Sequence, residues 1–558
     1  MARVIYHVIM FMIMVGEILS GQIDASNDSF KKIVENQANV IKSLEARISQ
    51  LEKERSPGLR QSTDPLSTRL QTVEKLLDGV NVRQLAVNVS DIQVKLSNPL
   101  SAGDSAWVLT SSALVLMMTI PGLALFYGGM VRVNNVLSTV MQSFSIVCLI
   151  TVLWMCFGYS LSFTTGSPLF GGHTRFWLLG MSYDTGHVLA PTIPEPLFMV
   201  YELMFAIITP ALICGAFADR MRFSPMLLFM ALWHLLVYCP IAHAHWMTDG
   251  FLKDEGILDF AGGNVVHVAA GCSGLMASLV IGSRTGYGKE NFSPHNILVS
   301  VLGASLLWVG WFGFNAGSYL SAHKMTAMAM AVTQISTAVS ALAWMCTEWI
   351  MRKRPSVLGI ISGAVAGLVA ITPGAGYVDC TGAFFFGLLA GPVCYFVCQL
   401  KHRLGYDDAL DAFGIHGPGG VVGGIMTGLF ATEDITGKGS GHKGAFYGKP
   451  EQLYLQLYGI LFAIGWSCIG SLVLLKLIDA VWGLRVAVEE ELMGLDIVCH
   501  GEYLHGERIA ERESMDVRRS HEGMPEVYEV QSHQPTLGGH ERHCWNKDHD
   551  GQRNSNSH

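Results

Sequence analysis

Residues 259 to 282 read DFAGGNVVHVAAGCSGLMASLVIG, an apolar run with one histidine, His267, inside it. A helix that crosses a lipid bilayer needs about 20 mostly apolar residues, and this run is long enough. His267 follows Asp259 by eight positions, which places it about 12 Å further along a helix and near the middle of a bilayer. An ionisable side chain in hydrocarbon is costly and usually faces a helix-bundle interior or a pathway. The run therefore predicts a membrane helix with a polar group on its inner side.

A second histidine, His416, also lies inside a long apolar segment. Two such residues indicate a polar path through an otherwise apolar structure, because each imidazole must find a partner for its nitrogens. The alternative is that they are two unrelated core histidines, each bonded to a backbone carbonyl. The residues alone leave both interpretations open.

Working outward from these segments, we predict an all-α membrane protein with eleven transmembrane helices. The central region, 104–482, contains apolar runs of the required length. They lie near 106 to 128, 136 to 163, 197 to 218, 225 to 247, 260 to 282, 296 to 318, 326 to 350, 356 to 373, 380 to 400, 413 to 431 and 453 to 480.

The composition of the 558-residue chain agrees with this class. Half of the residues are apolar and 15% are charged, and the charged residues are concentrated in the two flanks. A soluble domain averages about 25% charged residues, so the centre is typical of a multi-pass membrane protein. The net charge of −8 belongs mostly to the flanks and forms no basic surface. We therefore expect the lipid bilayer as a partner, and no nucleic acid.

The basic residues of the connections predict the orientation. Cytosolic loops are enriched in Lys and Arg close to the helix ends. Alternate connections, starting with the first, contain ten such residues: Arg132, Arg220, Arg222, Arg284, Lys289, Arg352, Lys353, Arg354, Lys401 and Arg403. The other connections contain six: Arg175, Lys253, Lys324, Lys438, Lys443 and Lys449. This asymmetry predicts an outside N-terminus and a cytosolic C-terminus. We expect the protein in the plasma membrane.

The N-terminus has the outline of a secretory signal. Arg3 precedes an apolar stretch over 4–15, followed by small residues, which predicts a signal peptide over 1–25. A retained anchor is the alternative. Secretion would make Asn27 and Asn88 glycosylation acceptors, since each begins an Asn-X-Ser tripeptide on the outer side.

A polar segment over 26–103 predicts an extracellular helical stalk. Val34, Ile41 and Ile48 recur every seven residues, as in a coiled coil, and a second such series follows Pro65. The stalk could associate with copies of itself. It could equally be a solvated amphipathic helix that contacts nothing, because the heptad run is short.

Two aspartates stand just before the histidine-bearing helices. Asp259 precedes His267 by eight positions, and Asp411 precedes His416 by five. A carboxylate at a helix start accepts hydrogen bonds from free backbone N–H groups, so we interpret both as helix caps. The alternative is that they bind substrate directly.

Five blocks in order along 107–501 together resemble the ammonium transporters of the Amt/Mep/Rh family, and their pattern is similar to the Amt branch. They are Pro121 to Met130, Asp259 to His267, Trp308 to Ser318, Leu358 to Pro373 and Asp411 to Gly417. The resemblance implies an eleven-helix transporter domain over 104–482 and a homotrimer.

The resemblance also implies roles for individual residues. Trp246, Phe205 and Ser318 would form the site that recruits ammonium. In such a site a cation rests on an aromatic face and forms a hydrogen bond with a hydroxyl. Phe205 and Phe314 would form a gate. His267 and His416 would line the pore, with Asp259 and Asp411 as supporting residues. From the sequence alone, the aromatic residues could instead be a belt facing lipid or packing side chains.

The implied function is transmembrane transport of ammonium or ammonia, with methylammonium as an accompanying substrate. Carrying NH4+ whole through hydrocarbon is penalised as any buried charge is, so we expect deprotonation and passage of NH3 between the histidines. The proton would follow, giving net charge transfer, or would return outside. Alternatives are a Rhesus-like NH3/CO2 gas channel and an ammonium sensor. We expect no enzyme activity, cofactor or metal site, because no nucleophile, base and orienting group gather outside the pore.

Two segments follow the last predicted span. Residues 483–508 resemble the family's regulatory C-terminus, which contacts the neighbouring subunit. Residues 509–558 are polar and contain several histidines, which predicts disorder, with metal binding as the alternative. Pro418 departs from the family pattern just after His416, and predicts a distorted helix there.

Overall fold

The computed structural model describes residues 100–504, and in that range the regular structure is helical. The described range holds no strand apart from three isolated bridges between single residues. The predicted signal peptide, the predicted glycosylation sites and the segment 509–558, predicted to be disordered, lie outside the described residues. Nearly all of the predicted stalk does so too. The described residues are those of the helical bundle and of the short segment after it.

Eleven main helices follow one another along the described range. They are α1 (Ala102–Met130), α2 (Val133–Phe163), α3 (Glu195–Phe217), α4 (Phe223–Asp254), α5 (Gly263–Ile281), α6 (Ile297–Ala316), α7 (Lys324–Arg352), α8 (Val357–Ile371), α9 (Cys380–Leu404), α10 (Ala412–Phe430) and α11 (Glu451–Trp482). Helix α4 has a short irregular stretch before its final turn.

Nine of these helices, within residues 100–504, are long and apolar enough to cross a membrane. The two others, α8 and α10, fall in the remaining predicted spans. Helix α8 is short, with 15 residues. Helix α10 has 19 residues, and its glycines and His416 lower its apolar content. Pro418 lies inside α10, which runs without a break from Ala412 to Phe430.

Apolar side chains cover the outside of the bundle. Leu298, Val481 and Ile469 are 75%, 76% and 66% exposed. Apolar surface on this scale is costly in water but is suited to contact with lipid chains. Together with the long apolar helices, this surface indicates a multi-pass membrane protein.

Small residues let α7 and α8 pack closely. The hydroxyls of Ser336 and Ser340 donate to the carbonyls of Gly367 (3.0 Å) and Gly363 (2.7 Å) on α8. A Cβ on either glycine would collide with α7. Close backbone approach through small residues stabilises helix pairs in lipid, where no hydrophobic effect drives association.

A cluster of buried charges joins the connections at one end of the bundle. The guanidinium of Arg284 donates two hydrogen bonds of 2.9 Å to the carboxylate of Asp407. It also lies 3.3 Å from the carboxylate of Asp219. Burial alone would raise the pKa of Asp407, but the hydrogen bonds and charge of Arg284 outweigh it and hold that pKa below its usual range. The cluster thus links the connections after α3, α5 and α9 at this end.

The chain after α11 folds back onto this charged end. Two short helices, α12 (Val488–Met493) and α13 (Leu495–His500), follow α11. Glu491 accepts from the backbone N–H of Thr285 (2.7 Å) and from Arg485 (2.8 Å). Asp496 accepts from the N–H of Ser138 in α2 (2.7 Å). The described part of the predicted regulatory tail is therefore anchored on its own chain.

Candidate functional site

The two predicted pore histidines lie against each other in the bundle interior. The Nδ1 atoms of His267 and His416 are 3.2 Å apart, and the rings are nearly parallel, with centroids 5.3 Å apart. Both side chains are buried. One Nδ1 must donate and the other accept for this contact to be a hydrogen bond. The structure therefore favours the paired interpretation over two unrelated core histidines.

Close packing of α5 on α10 brings the histidines together. Gly271, one turn after His267, faces the backbone of Gly417, and a Cβ on Gly271 would overlap that backbone. On its other side, the ring of His267 stacks against Trp311, at 5.3 Å between centroids. The indole N–H of Trp311 donates to Thr372 (3.0 Å), which fixes the tryptophan. His267 is thus held between the close contact of α5 with α10 at Gly271 and the ring of Trp311.

Asp259 caps the start of α5, which confirms the capping interpretation. Its carboxylate accepts from four backbone N–H groups at 2.6 to 3.3 Å. These belong to Gly262, Gly263, Asn264 and Val265. The first part of α5, Gly263–Val268, is a wider π-helical turn that contains His267. Such turns occur often at functional sites, and here the cap fixes the turn that holds the histidine.

Asp411 does not cap α10, so that interpretation is wrong. The carboxylate of Asp408 accepts from the N–H groups of Ala412 (3.1 Å) and Gly414 (3.0 Å) instead. Asp411 has a left-handed backbone with φ of 57°, and its carboxylate binds Lys401 Nζ at 2.6 Å. Burial raises the pKa of Asp408 to about 6, with a further contribution from Asp411.

Two phenylalanines separate the histidines from an open cavity. The rings of Phe205 and Phe314 are 4.4 Å apart at their centroids, and both are buried. Phe314 also stacks on His267 at 6.0 Å. An aromatic pair therefore stands between the cavity and the histidine pair.

The cavity, which we call the vestibule, has a volume of about 200 Å³. Its lining combines aromatic rings with a few polar groups: Phe163, Leu189, Phe198, Glu202, Phe205, Trp246, Lys253, Asp259, Phe260, Ser318, Leu320 and Tyr377. The predicted recruitment residues Trp246, Phe205 and Ser318 all belong to it. The volume suits a small ligand, since drug-sized ligands need about 300 Å³ or more.

Hydrogen bonds fix the polar groups of the vestibule. The indole N–H of Trp246 donates to the carbonyl of Asp259 (2.9 Å), and its ring lies 5.9 Å from Phe205. Ser318 donates to the carbonyl of Phe314 (2.8 Å) and lies 3.2 Å from the hydroxyl of Tyr201. The Trp246 ring face and the Ser318 oxygen are therefore held in fixed positions.

Sequence reasoning missed three groups around this site. Glu202 lines the vestibule, Tyr201 holds Ser318, and the Asn264 amide contacts His245 at 3.2 Å beside α5. Glu202 could have been found, because it is a lone carboxylate inside an apolar span. Nothing in the pattern around Tyr201 or Asn264 distinguishes them from packing residues. Within residues 100–504, no group of three or more His, Cys, Asp or Glu side chains is arranged to hold a metal ion.

An apolar helical bundle in which a small polar vestibule leads through an aromatic pair to two buried histidines defines a membrane transport protein. The model of the Ammonium Transporter Family matches residues 106–504. The chain belongs to this family, whose members are transporters and not enzymes.

Relatives and solved structures cover the same region. An ammonium transporter of Bacillus subtilis (strain 168) is 45% identical over 401 residues, which span 72% of this chain and 98% of the relative. The corresponding protein of Aquifex aeolicus (strain VF5) is 46% identical over 411 residues, or 72% and 93%. The crystal structure of Candida albicans Mep2 has a TM-score of 0.66 at 35% identity and covers 70% of this chain and 88% of that one.

Proposed function

We propose that this protein moves ammonium across the plasma membrane by binding NH4+ in the vestibule and conducting NH3 past the paired histidines. The observation that carries the proposal is the unbroken series of ring contacts from Trp246 through Phe205 and Phe314 to His267 and His416. This series of rings joins the cation-binding face of Trp246 to the hydrogen-bonding imidazoles of His267 and His416, which lie in apolar surroundings.

Recruitment relies on Trp246, Phe205 and Ser318. A cation on an indole face gains about 1 to 2 kcal/mol, and the Ser318 oxygen can accept a hydrogen bond from an N–H group. A bare metal cation has no such hydrogen to offer. The site therefore favours ammonium and methylammonium over K+ of similar size.

The gate and the pore separate the proton of ammonium from NH3. Phe205 and Phe314 exclude water, and a bare cation between the rings would lack its hydration, so the ammonium ion loses a proton before passing. NH3 then donates to and accepts from the imidazoles, and Asp259 supports the first of them by fixing the start of α5. We propose that the proton follows through the histidine pair, which makes transport electrogenic.

We also propose eleven spans with an outside N-terminus, a cytosolic C-terminus, a trimeric assembly, glycosylation at Asn27 and Asn88, and a helical stalk. Support comes from helices at all eleven predicted positions and from the basic connections at one end. The trimer and the tail contact with a neighbouring subunit rest on the family resemblance.

Expression in oocytes tests the transport proposal. Labelled methylammonium uptake and ammonium-evoked current are measured for the wild-type chain, for His267→Ala and for the exposed-site control His173→Ala. We expect uptake with current in the wild type and the control. Uptake without current would indicate NH3 conduction of the gas-channel type. The absence of both, with protein at the cell surface, would favour a sensor, as in the solved Sensor Amt Protein, which is 26% identical with a TM-score of 0.65.

A further inference from the structure

The vestibule contains one acidic side chain that the described structure leaves without a partner. Glu202 lies on α3, is 8% exposed and lines the vestibule. Its carboxylate makes no hydrogen bond or ion pair with any residue between 100 and 504. A carboxylate in such surroundings is costly unless something compensates its charge.

The other buried acids of the described range are all bound. Glu195 is held by Arg175 (2.8 Å), Glu348 by Ser356 (2.9 Å) and Glu491 by Arg485 (2.8 Å). Every buried aspartate likewise has a bonded partner: Asp219, Asp259, Asp407, Asp408 and Asp496. Glu202 therefore differs from every other buried acid in this range, and its compensating group is to be sought in the cavity itself.

Glu202 also lies next to the residues that fix the recruitment site. It follows Tyr201, whose hydroxyl contacts Ser318, and precedes Phe205 by three positions, which puts Glu202 and Phe205 on neighbouring parts of one helix face. Tyr201, Glu202 and Phe205 all belong to α3. A ligand in the vestibule is thus close to the carboxylate, the Ser318 hydroxyl and the gate ring.

The charged neighbours do not neutralise Glu202. Lys253 lines the same vestibule, but no ion pair within 4.0 Å joins it to Glu202. The carboxylate of Asp259 is already occupied by four backbone N–H groups of α5. Among the described residues that line the vestibule, Glu202 therefore has the carboxylate that is free to accept a hydrogen bond from a ligand.

We infer that Glu202 is a further ammonium-binding residue, whose carboxylate accepts an N–H of the cation held against Trp246 and Ser318. This inference rests on the proposed function and deepens it. A small cation with N–H donors fits both the charge and the unused acceptor capacity of Glu202. The residue raises the affinity of the vestibule for ammonium, and the pore beyond it is unaffected.

The test compares the methylammonium concentration at half-maximal uptake among variants in oocytes, with surface protein measured for each. Glu202→Gln keeps the shape and an acceptor oxygen but removes the charge, and we expect the half-saturating concentration to rise about tenfold or more. Glu202→Asp retains the carboxylate and stays within about threefold of wild type. The control Glu255→Gln removes one exposed charge near Lys253 and leaves uptake unchanged.

The outcomes separate this inference from the transport proposal. An unchanged half-saturating concentration in Glu202→Gln, with wild-type uptake intact, overturns the role of Glu202 and leaves transport standing. If Glu202→Gln fails to reach the surface, Glu202→Ala, which also removes the carboxylate, decides. A half-saturating concentration at least tenfold above wild type in the alanine variant supports the role, and a wild-type value refutes it. Failure of the wild type to take up methylammonium contradicts the proposed function itself.

Discussion

The Nδ1 atoms of His267 and His416 face each other at 3.2 Å, although the two residues are 149 positions apart in the chain. Within residues 100–504, the Nε2 atom of His267 has no hydrogen-bond partner. An imidazole with one nitrogen bonded to its neighbour and the other free can exchange hydrogen bonds with a small molecule passing beside it. This arrangement is the basis of the proposed NH3 conduction and proton relay.

His267→Ala should lower the ammonium-evoked current in oocytes at least tenfold. The substitution removes one half of the pair, so a proton has no continuous route between α5 and α10. Voltage-clamp recording at matched surface protein measures the effect, with His173→Ala as control. A current of wild-type size in His267→Ala would refute proton relay through the pair.

Trp246→Leu should raise the half-saturating methylammonium concentration roughly five- to thirtyfold. Loss of a cation–π contact worth about 1 to 2 kcal/mol predicts a change of this size. The measurement is concentration-dependent uptake. Trp349→Leu is the matched control, because Trp349 is 54% exposed on the outside of α7 and should leave uptake unchanged. Equal shifts in the two variants would contradict the recruitment role of Trp246.

Asp259→Ala should destabilise the protein by about 3 kcal/mol. Four backbone N–H groups at the start of α5 lose a charged acceptor, and a hydrogen bond to a charged group contributes about 1.5 to 3 kcal/mol, with water replacing part of the loss. Unfolding in detergent by added SDS measures the change. Asp254→Ala, at an exposed site nearby, should unfold as wild type does. Matching curves for both variants would mean that the cap contributes little.

Asp407→Asn should destabilise the protein at neutral pH, and the difference from wild type should shrink in acid. The folded pKa of Asp407 is below its unfolded value of about 3.9, because Arg284 outweighs burial. The pair therefore stabilises the fold above pH 4, and this contribution is lost as pH falls through the folded pKa. At pH 7, removing one partner of a buried pair costs about 3 to 5 kcal/mol.

Thermal unfolding of detergent-solubilised wild type and Asp407→Asn between pH 7 and pH 3 checks this prediction. Asp184→Asn, at an exposed loop position, should show no difference from wild type at any pH. A stability difference that stays constant down to pH 3 would argue against a charged Asp407.

Glu491→Ala should release the chain after α11 from the loop at Thr285. Glu491 accepts two bonds from Thr285 and one from Arg485, and these join α12 to the body of the bundle. Limited proteolysis should cut between 483 and 504 at least several times faster than in wild type. Glu489→Ala alters an exposed acid of the same helix and should not change the rate. Equal rates in both variants would show that other contacts hold the tail.

Much of the fold can be read from local sequence. Each predicted apolar run coincides with a helix, because hydropathy over about 20 residues depends only on neighbouring residues. The cap at Asp259 was also predictable, since a carboxylate and the N–H groups it binds are close in sequence. At α10 the same local reasoning chose Asp411, but the left-handed backbone there leaves Asp408 to accept the helix N–H groups.

The sequence by itself determined that this protein is a bundle of apolar helices with two histidines buried in it. Only the tertiary structure decided which side chains meet: the imidazoles of His267 and His416, and the rings of Phe205 and Phe314. It also decided that Glu202 lines the vestibule with no partner among residues 100–504. These relationships depend on how each helix is rotated and how closely glycines let two backbones approach. That information lies in contacts between residues far apart in the chain, which no local pattern contains.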